Sequence, residues 1–203
     1  MRLGTQRVNV LGHLEIGGCD TVELAERFGT PLYVMDEALI RRNCREYKAA
    51  FEKRYPKIEI SFATKAFLCT AICGLMAQED VGLDVASGGE LYTALRARFP
   101  VARIALHGNN KSEDELRLAL ENNIGRIVVD NLGEIEHLDR LAAELGVMAN
   151  VSIRATPGID PHTHKLIRTG QEDSKFGLNI ANGAAMQAAQ PDPIVLTATP
   201  GMP

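Results

Sequence analysis

What this 203-residue chain lacks narrows its chemistry before any motif is read. No apolar run approaches the ~20 residues needed to cross a bilayer, which argues against a helical membrane-spanning protein. Its opening, Met1-Arg2-Leu3-Gly4-Thr5-Gln6-Arg7-Val8, has none of the apolar stretch of a signal peptide, so a cytoplasmic protein is expected. Neither sign of charge dominates: 22 Lys and Arg against 26 Asp and Glu leave a net charge of −4. Neither a nucleic-acid partner nor an anionic membrane is therefore expected. Only four cysteines are present, Cys19, Cys44, Cys69 and Cys73. Cys69 and Cys73 lie four apart on a predicted helix, but no second pair stands at ligand spacing, so reduced thiols and no metal site are expected. There is no Gly-x-x-x-x-Gly-Lys loop and no evident Ser-His-Asp arrangement. The remainder, 45% hydrophobic and 24% charged, is ordinary for a soluble globular protein.

What is present is a regular alternation. Five strand-like segments, Ile58–Thr64, Val81–Ser87, Arg103–Gly108, Arg126–Asp130 and Asn150–Ala155, start 23, 22, 23 and 24 residues apart. Helical patterns lie between them at Ala66–Gln78, Gly89–Arg98, Glu113–Asn122 and Leu132–Leu145. Ser87 and Ser112 read as helix caps, and Gly125 and Gly146 as stops. Strand–helix alternation with short connections demands a parallel sheet. The even spacing, and the lack of Gly-x-Gly-x-x-Gly after the first strand, favour an α/β fold of the (β/α)8 TIM-type barrel over a doubly wound sheet. A sixth strand is predicted at Ile194–Thr197, which leaves the chain about two βα units short of a closed barrel. Before the series, helices are predicted at Thr21–Phe28 and Glu37–Lys53. The stretch Thr156–Lys175 is long for a βα loop, a length often tied to function.

In a barrel the carboxyl ends of the strands surround one mouth. Here those ends carry Lys65, Asp84 with Ser87, His107 with Asn109, Asp130 with Asn131, and Arg154. Turn chemistry accounts for Ser87 and Asn131 without any function. It accounts poorly for a lysine, an aspartate, a histidine and an arginine at corresponding places, which point to a shared active site. Lys65 ends an apolar strand, where partial burial is expected to favour the neutral, nucleophilic amine. A strand-end lysine among Asp, His and Arg suits condensation with an aldehyde cofactor such as pyridoxal phosphate.

Several runs together resemble the fold-type III pyridoxal-phosphate decarboxylases. They are Gly29-Thr30-Pro31-Leu32-Tyr33-Val34, Phe62-Ala63-Thr64-Lys65-Ala66, Asp84-Val85-Ala86-Ser87-Gly88-Gly89-Glu90, His107-Gly108-Asn109-Asn110-Lys111-Ser112 and Val128-Val129-Asp130-Asn131. The most specific is His162-Thr163-His164-Lys165-Leu166-Ile167-Arg168-Thr169-Gly170, continuing through Asp173-Ser174-Lys175-Phe176-Gly177. This run resembles the diaminopimelate branch more than the ornithine or arginine branches. The resemblance covers about Gly17 to Ile180. It implies residues 1–35 leading into a partial alanine-racemase-like barrel over 36–203, with pyridoxal 5′-phosphate as cofactor. The implied reaction removes carbon dioxide from the D-centre of meso-2,6-diaminopimelate to give L-lysine. Lys65 would be the catalytic residue and hold the cofactor. Asp84 and Glu90 would sit near it and tune its charge, Arg154 would lie beside the cofactor, and Ser87, His107 and Asn109 would line the site. His162 and His164 would serve the loop rather than a metal. A small amino-acid substrate and, for the full-length enzyme, a homodimer are the implied partners.

After Ile194 the pattern departs from the family. The expected His-x-His-Ile-Gly-Ser run, the glycine-rich phosphate loop, the acidic partner of the pyridine nitrogen and the C-terminal β-domain do not follow. Little or no activity is therefore expected of this polypeptide alone, and its unclosed sheet leaves strand edges to pair. Three other readings stay open: a related basic-amino-acid decarboxylase, a non-catalytic pyridoxal-phosphate-binding homologue, and an inactive fragment.

Overall fold

The computed structural model describes residues 3–158, 176–189 and 195–196. They fall into two compact units, 1–60 and 61–203. The first unit opens with an antiparallel sheet of β1 (Arg7–Val8), β2 (Leu14–Ile16) and β3 (Cys19–Asp20). None of these strands is predicted from the sequence, because strands of two or three residues leave no periodicity to read. Helices α1 (Thr21–Phe28) and α2 (Glu37–Glu52) match the predicted ones to within a residue. Each is started by an aspartate. Asp20 accepts from the backbone of Val22 and Glu23, and Asp36 from Leu39, filling the amide sites that a helix start leaves empty. Asp36 also accepts from the amide and hydroxyl of Thr5, and these bonds hold its carboxyl below the ordinary aspartate range. Neither helix buries a residue completely.

The second unit is built on a six-stranded parallel sheet: β4 (Ser61–Ala63), β5 (Gly82–Val85), β6 (Ile104–Leu106), β7 (Arg126–Val129), β8 (Asn150–Ile153) and β11 (Val195–Leu196). They stand side by side in chain order, β4 to β8 and then β11. The order never reverses, so there is no switch point of the doubly wound kind, and right-handed crossovers put successive helices on one face. That face carries the bulky row: Leu83, Val85, Ile104, Leu106, Ile127, Val129 and Val151 are buried. Apart from Val128, the alternate positions, pointing the other way, are small or polar, including Ser61, Ala63, Asp84, Ala105 and Ser152. A sheet covered by helices on one side and lined by small residues on the other is the wall of a barrel.

The covering helices are α3 (Thr70–Gln78), α4 (Gly88–Arg96), α5 (Glu113–Glu121) and α6 (Leu132–Leu145). They bury Met76, Leu91, Leu116 and Leu141 against the sheet. Helix α3 starts at Thr70, later than the sequence pattern suggests, because a 3-10 turn occupies Thr64–Ala66. Gly146 closes α6 in the left-handed conformation as predicted, with φ of 66°. Gly125 is no helix stop, since α5 is capped by Asn122. It is required for close approach: a Cβ there would lie 2.1 Å from the carbonyl oxygen of Ala102. Two short strands, β9 (Ala155–Thr156) and β10 (Leu178–Asn179), pair in parallel beyond β8, and α7 (Ala184–Ala188) follows. The run His162–Gly170, on which the family resemblance is most specific, lies outside the described residues.

Candidate active site

The predicted strand-end residues converge on the carboxyl edge of the sheet in the second unit. At its β4 end the strand is only three residues long and gives way to the 3-10 turn that carries Lys65. Lys65 is exposed, where the sequence suggested partial burial. The sheet beneath it is lined by Ser61 and Ala63, which are too small to enclose a long side chain. The neighbouring Thr64 is buried instead. Its hydroxyl lies 2.9 Å from the Asp84 carbonyl oxygen and 2.5 Å from Glu90 Oε2. Glu90 Oε2 also accepts from the backbone of Ala86 at 2.8 Å, while Ser87 caps the same helix by accepting from the Glu90 amide. Glu90 therefore grips the residue before Lys65, and Ser87 serves the helix that carries Glu90.

One strand further on, Asp84 and His107 face each other. His107 Nε2 is 3.6 Å from Asp84 Oδ1, with both side chains over one-third exposed. The amide of His107 donates to Val85 at 2.7 Å, extending the ladder past the last paired residues of β5 and β6. Gly108 follows at φ of 133°, a conformation that suits glycine and turns the chain into the loop holding half-buried Asn109.

At the β7 and β8 ends the groups are tightly held. Asp130 is buried; its Oδ2 accepts from the Gly177 amide at 2.9 Å and its Oδ1 receives a long contact from Arg154 Nη1 at 3.4 Å. The Arg154 guanidinium carbon lies 4.5 Å from the centre of the Phe176 ring, within cation–π range. Thr156 donates to the Phe176 carbonyl and Leu178 to that of Arg154, so the returning chain is fastened to the end of β8. Gly177 has no substitute here: at φ of 78°, a Cβ would lie 2.6 Å from the Thr156 hydroxyl oxygen.

The structure thus brings Lys65, Asp84, Ser87, Glu90, His107, Asn109 and Arg154 to one edge of one sheet. Three further side chains are buried among them, none marked as a site residue by the sequence pattern: Thr64, Lys111 and Glu134. Lys111 and Glu134 form an ion pair, with Nζ 2.5 Å from Oε1 and side chains only 2% and 7% exposed. A signal existed for Glu134, which stands three residues after the cap Asn131, as Glu90 does after Ser87 and Glu115 after Ser112. Among the described residues no cluster of His, Cys, Asp and Glu could hold a metal ion, none of the four cysteines is in a disulfide, and no helix is long and apolar enough to cross a membrane.

Comparison with known proteins agrees with this geometry. The chain is 54% identical over 187 residues to the diaminopimelate decarboxylase of Bacillus methanolicus, covering 92% of this chain and 43% of that protein. The crystal structure of diaminopimelate decarboxylase from M. jannaschii superposes with a TM-score of 0.85 at 39% identity, over 95% of this chain and 46% of that one. The same enzyme in complex with L-lysine gives 0.82 at 41% identity, over 92% of this chain and 44% of that one. This chain therefore spans less than half the length of the relatives it matches. Residues 37–199 match the family described as pyridoxal-dependent decarboxylase, pyridoxal binding domain. The chain belongs to that family.

Proposed function

We propose that this chain is the cofactor-binding part of a decarboxylase that converts meso-2,6-diaminopimelate to L-lysine and carbon dioxide. The observation that carries the reading is the exposed Lys65 amine at the mouth, with Asp84, His107 and Arg154 on successive strand ends beside it. The residues fit pyridoxal phosphate by their chemistry. An accessible amine meets the need of an aldehyde, and imidazole, amide and guanidinium groups offer donors to an anionic ligand. The names of the relatives support the choice of substrate.

In this reading Lys65 Nζ would hold the cofactor through its aldehyde and give it up to the amine of the substrate. Pyridoxal phosphate, when bound, would supply a protonated ring that serves as the electron sink for loss of carbon dioxide. The Lys65 amine would then be placed to deliver a proton to the carbon that has lost its carboxylate. Glu90 holds Thr64, and so the turn that aims Lys65. Asp84 stands beside His107, and Arg154 would place its guanidinium beside the anionic ligand. Ser87 shapes the wall through its cap on α4, and Asn109 presents its amide from the next loop. Residues 36–203 would form the barrel portion and 1–35 lead into it, a division supported by the family match starting at residue 37. Cysteines that are not in disulfides favour a reducing, cytoplasmic compartment, and the whole protein would be a homodimer.

Pyridoxal phosphate added to the chain should give a visible absorbance band, and borohydride reduction should leave the cofactor mass on Lys65. Lys65→Ala should abolish both. Trapping at another lysine would overturn the assignment. Release of carbon dioxide from ornithine or arginine, and not from diaminopimelate, would give the chain to the related decarboxylases.

A further inference from the structure

Three consecutive helices of the second unit begin alike: Ser87-x-x-Glu90, Ser112-x-x-Glu115 and Asn131-x-x-Glu134. In an isolated capping box the glutamate turns back on its own helix start. Here each one does more, because each reaches into the preceding βα unit. Glu90 Oε2 takes its own Ala86 amide and also meets Thr64 at the end of β4. Glu115 Oε2 takes the Ser112 amide, while Oε1 accepts from the Gly88 amide of α4 at 2.6 Å. Burial pushes the Glu115 carboxyl up, but these amides outweigh it and leave the group below its ordinary range. Glu134 Oε2 takes the Asp130 amide at 3.1 Å, while Oε1 pairs with Lys111 from the loop after β6.

We propose that these three glutamates form a belt of positioning residues around the mouth, with Lys111–Glu134 as its buried seam. The seam is where the belt does most. Lys111 Nζ donates at 2.7 Å to the carbonyls of both Gly108 and Val128, bridging β6 and β7 beyond the last paired residues, Leu106 and Ile127. The third contact of this ammonium, with Glu134, is an ion pair rather than a well-formed hydrogen bond. Gly108 lies between His107 and Asn109, so the lysine fixes the loop that presents both. Through the Asp130 amide the same seam sets the residue whose carboxylate holds Arg154 and the Gly177 amide. Neither Lys111 nor Glu134 is open to solvent, so neither touches a ligand in the mouth. A buried pair is no stronger a source of stability than well-packed apolar groups of the same volume. Its distinct effect is to select one arrangement of the strands it joins.

This inference rests on the strand ends forming one site, but its test does not need bound cofactor. The variants are Lys111→Met with Glu134→Gln together, which removes both buried charges and keeps an acceptor for the Asp130 amide, and Glu134→Gln alone, should the double variant not fold. Amide hydrogen exchange in the free chain should be about tenfold faster at His107 and Gly177, even where the melting temperature is recovered. Affinity for pyridoxal phosphate should fall by a similar factor. Exposed Glu113→Gln, on the first turn of α5, should change neither. Wild-type exchange at both amides in a folded variant would overturn the positioning role. If the unaltered chain takes up no cofactor, the proposed function fails while the exchange result still decides this inference.

Discussion

Two lysines at the same end of the same sheet are treated in opposite ways. Lys65 sits on a short turn after a three-residue strand and is exposed, while the neighbouring Thr64 is bonded to Asp84 and Glu90. Lys111, two strands away, is buried and gives its ammonium to two carbonyls and a carboxylate. A reacting amine has to change partners, so contacts that lock it would oppose the reaction. A framework amine gains from every such contact. If Lys65 reacts as proposed, the mouth separates the group that moves from the groups that hold it in place, and burial marks the framework, Lys111, rather than Lys65.

The largest expected effect tests that separation directly. Lys111→Met leaves Glu134 charged and unpaired inside the protein and should cost about 3–5 kcal/mol in denaturant unfolding. Lys65→Met should stay within about 0.5 kcal/mol of the unaltered chain, as exposed substitutions do, while losing covalent cofactor trapping. Equal stability losses at the two lysines would break the comparison. Next is Gly177→Ala, which forces a side chain into a left-handed conformation and against Thr156. About 1–3 kcal/mol of lost stability is expected, and an unchanged melting curve would show that the chain after residue 175 is fastened less firmly than these bonds imply. Thr64→Val keeps the shape of the buried side chain but removes the hydroxyl that meets Asp84 and Glu90. A cost of about 1 kcal/mol is expected, with weaker trapping at Lys65. Unaltered trapping would mean that Thr64 does not aim the turn.

The two lysines also show what a sequence discloses. Lys65 was legible because it closes a β-prone run and heads a series of polar strand ends at even spacing. The same regularity gave the parallel order of the sheet, and α6 to the residue. Lys111 was not legible, since a lysine before a helix cap reads as a solvated charge. Only the fold brings Gly108, Val128 and Glu134 around it. Strands β1 to β3 escaped for a related reason, because their order comes from turns and capping aspartates rather than from an alternating pattern. Gly125 looks like a helix stop in sequence, but the packed structure puts the Ala102 carbonyl against it.

The smallest expected effect sets the buried seam against an exposed one on the same helices. On the outer faces of α5 and α6, Glu113 bonds to Arg117, His137 and Arg140, and Arg117 and Arg140 also hold Glu144. The Arg117 contact, then those of His137 and Arg140, bring the Glu113 carboxyl down from 4.5 to about 2. A lowered carboxyl stabilises the fold above its unfolded value, and that contribution disappears as pH falls from 4.5 through about 2. Because these groups face water, salt should screen the contribution, whereas the Lys111–Glu134 pair should respond little. The melting temperature of Glu113→Gln should therefore sit slightly below that of the unaltered chain near neutral pH and low salt. The gap should close both on acidification and on addition of salt. A gap that survives both would trace the effect to the helix start itself, not to the charges across α5 and α6.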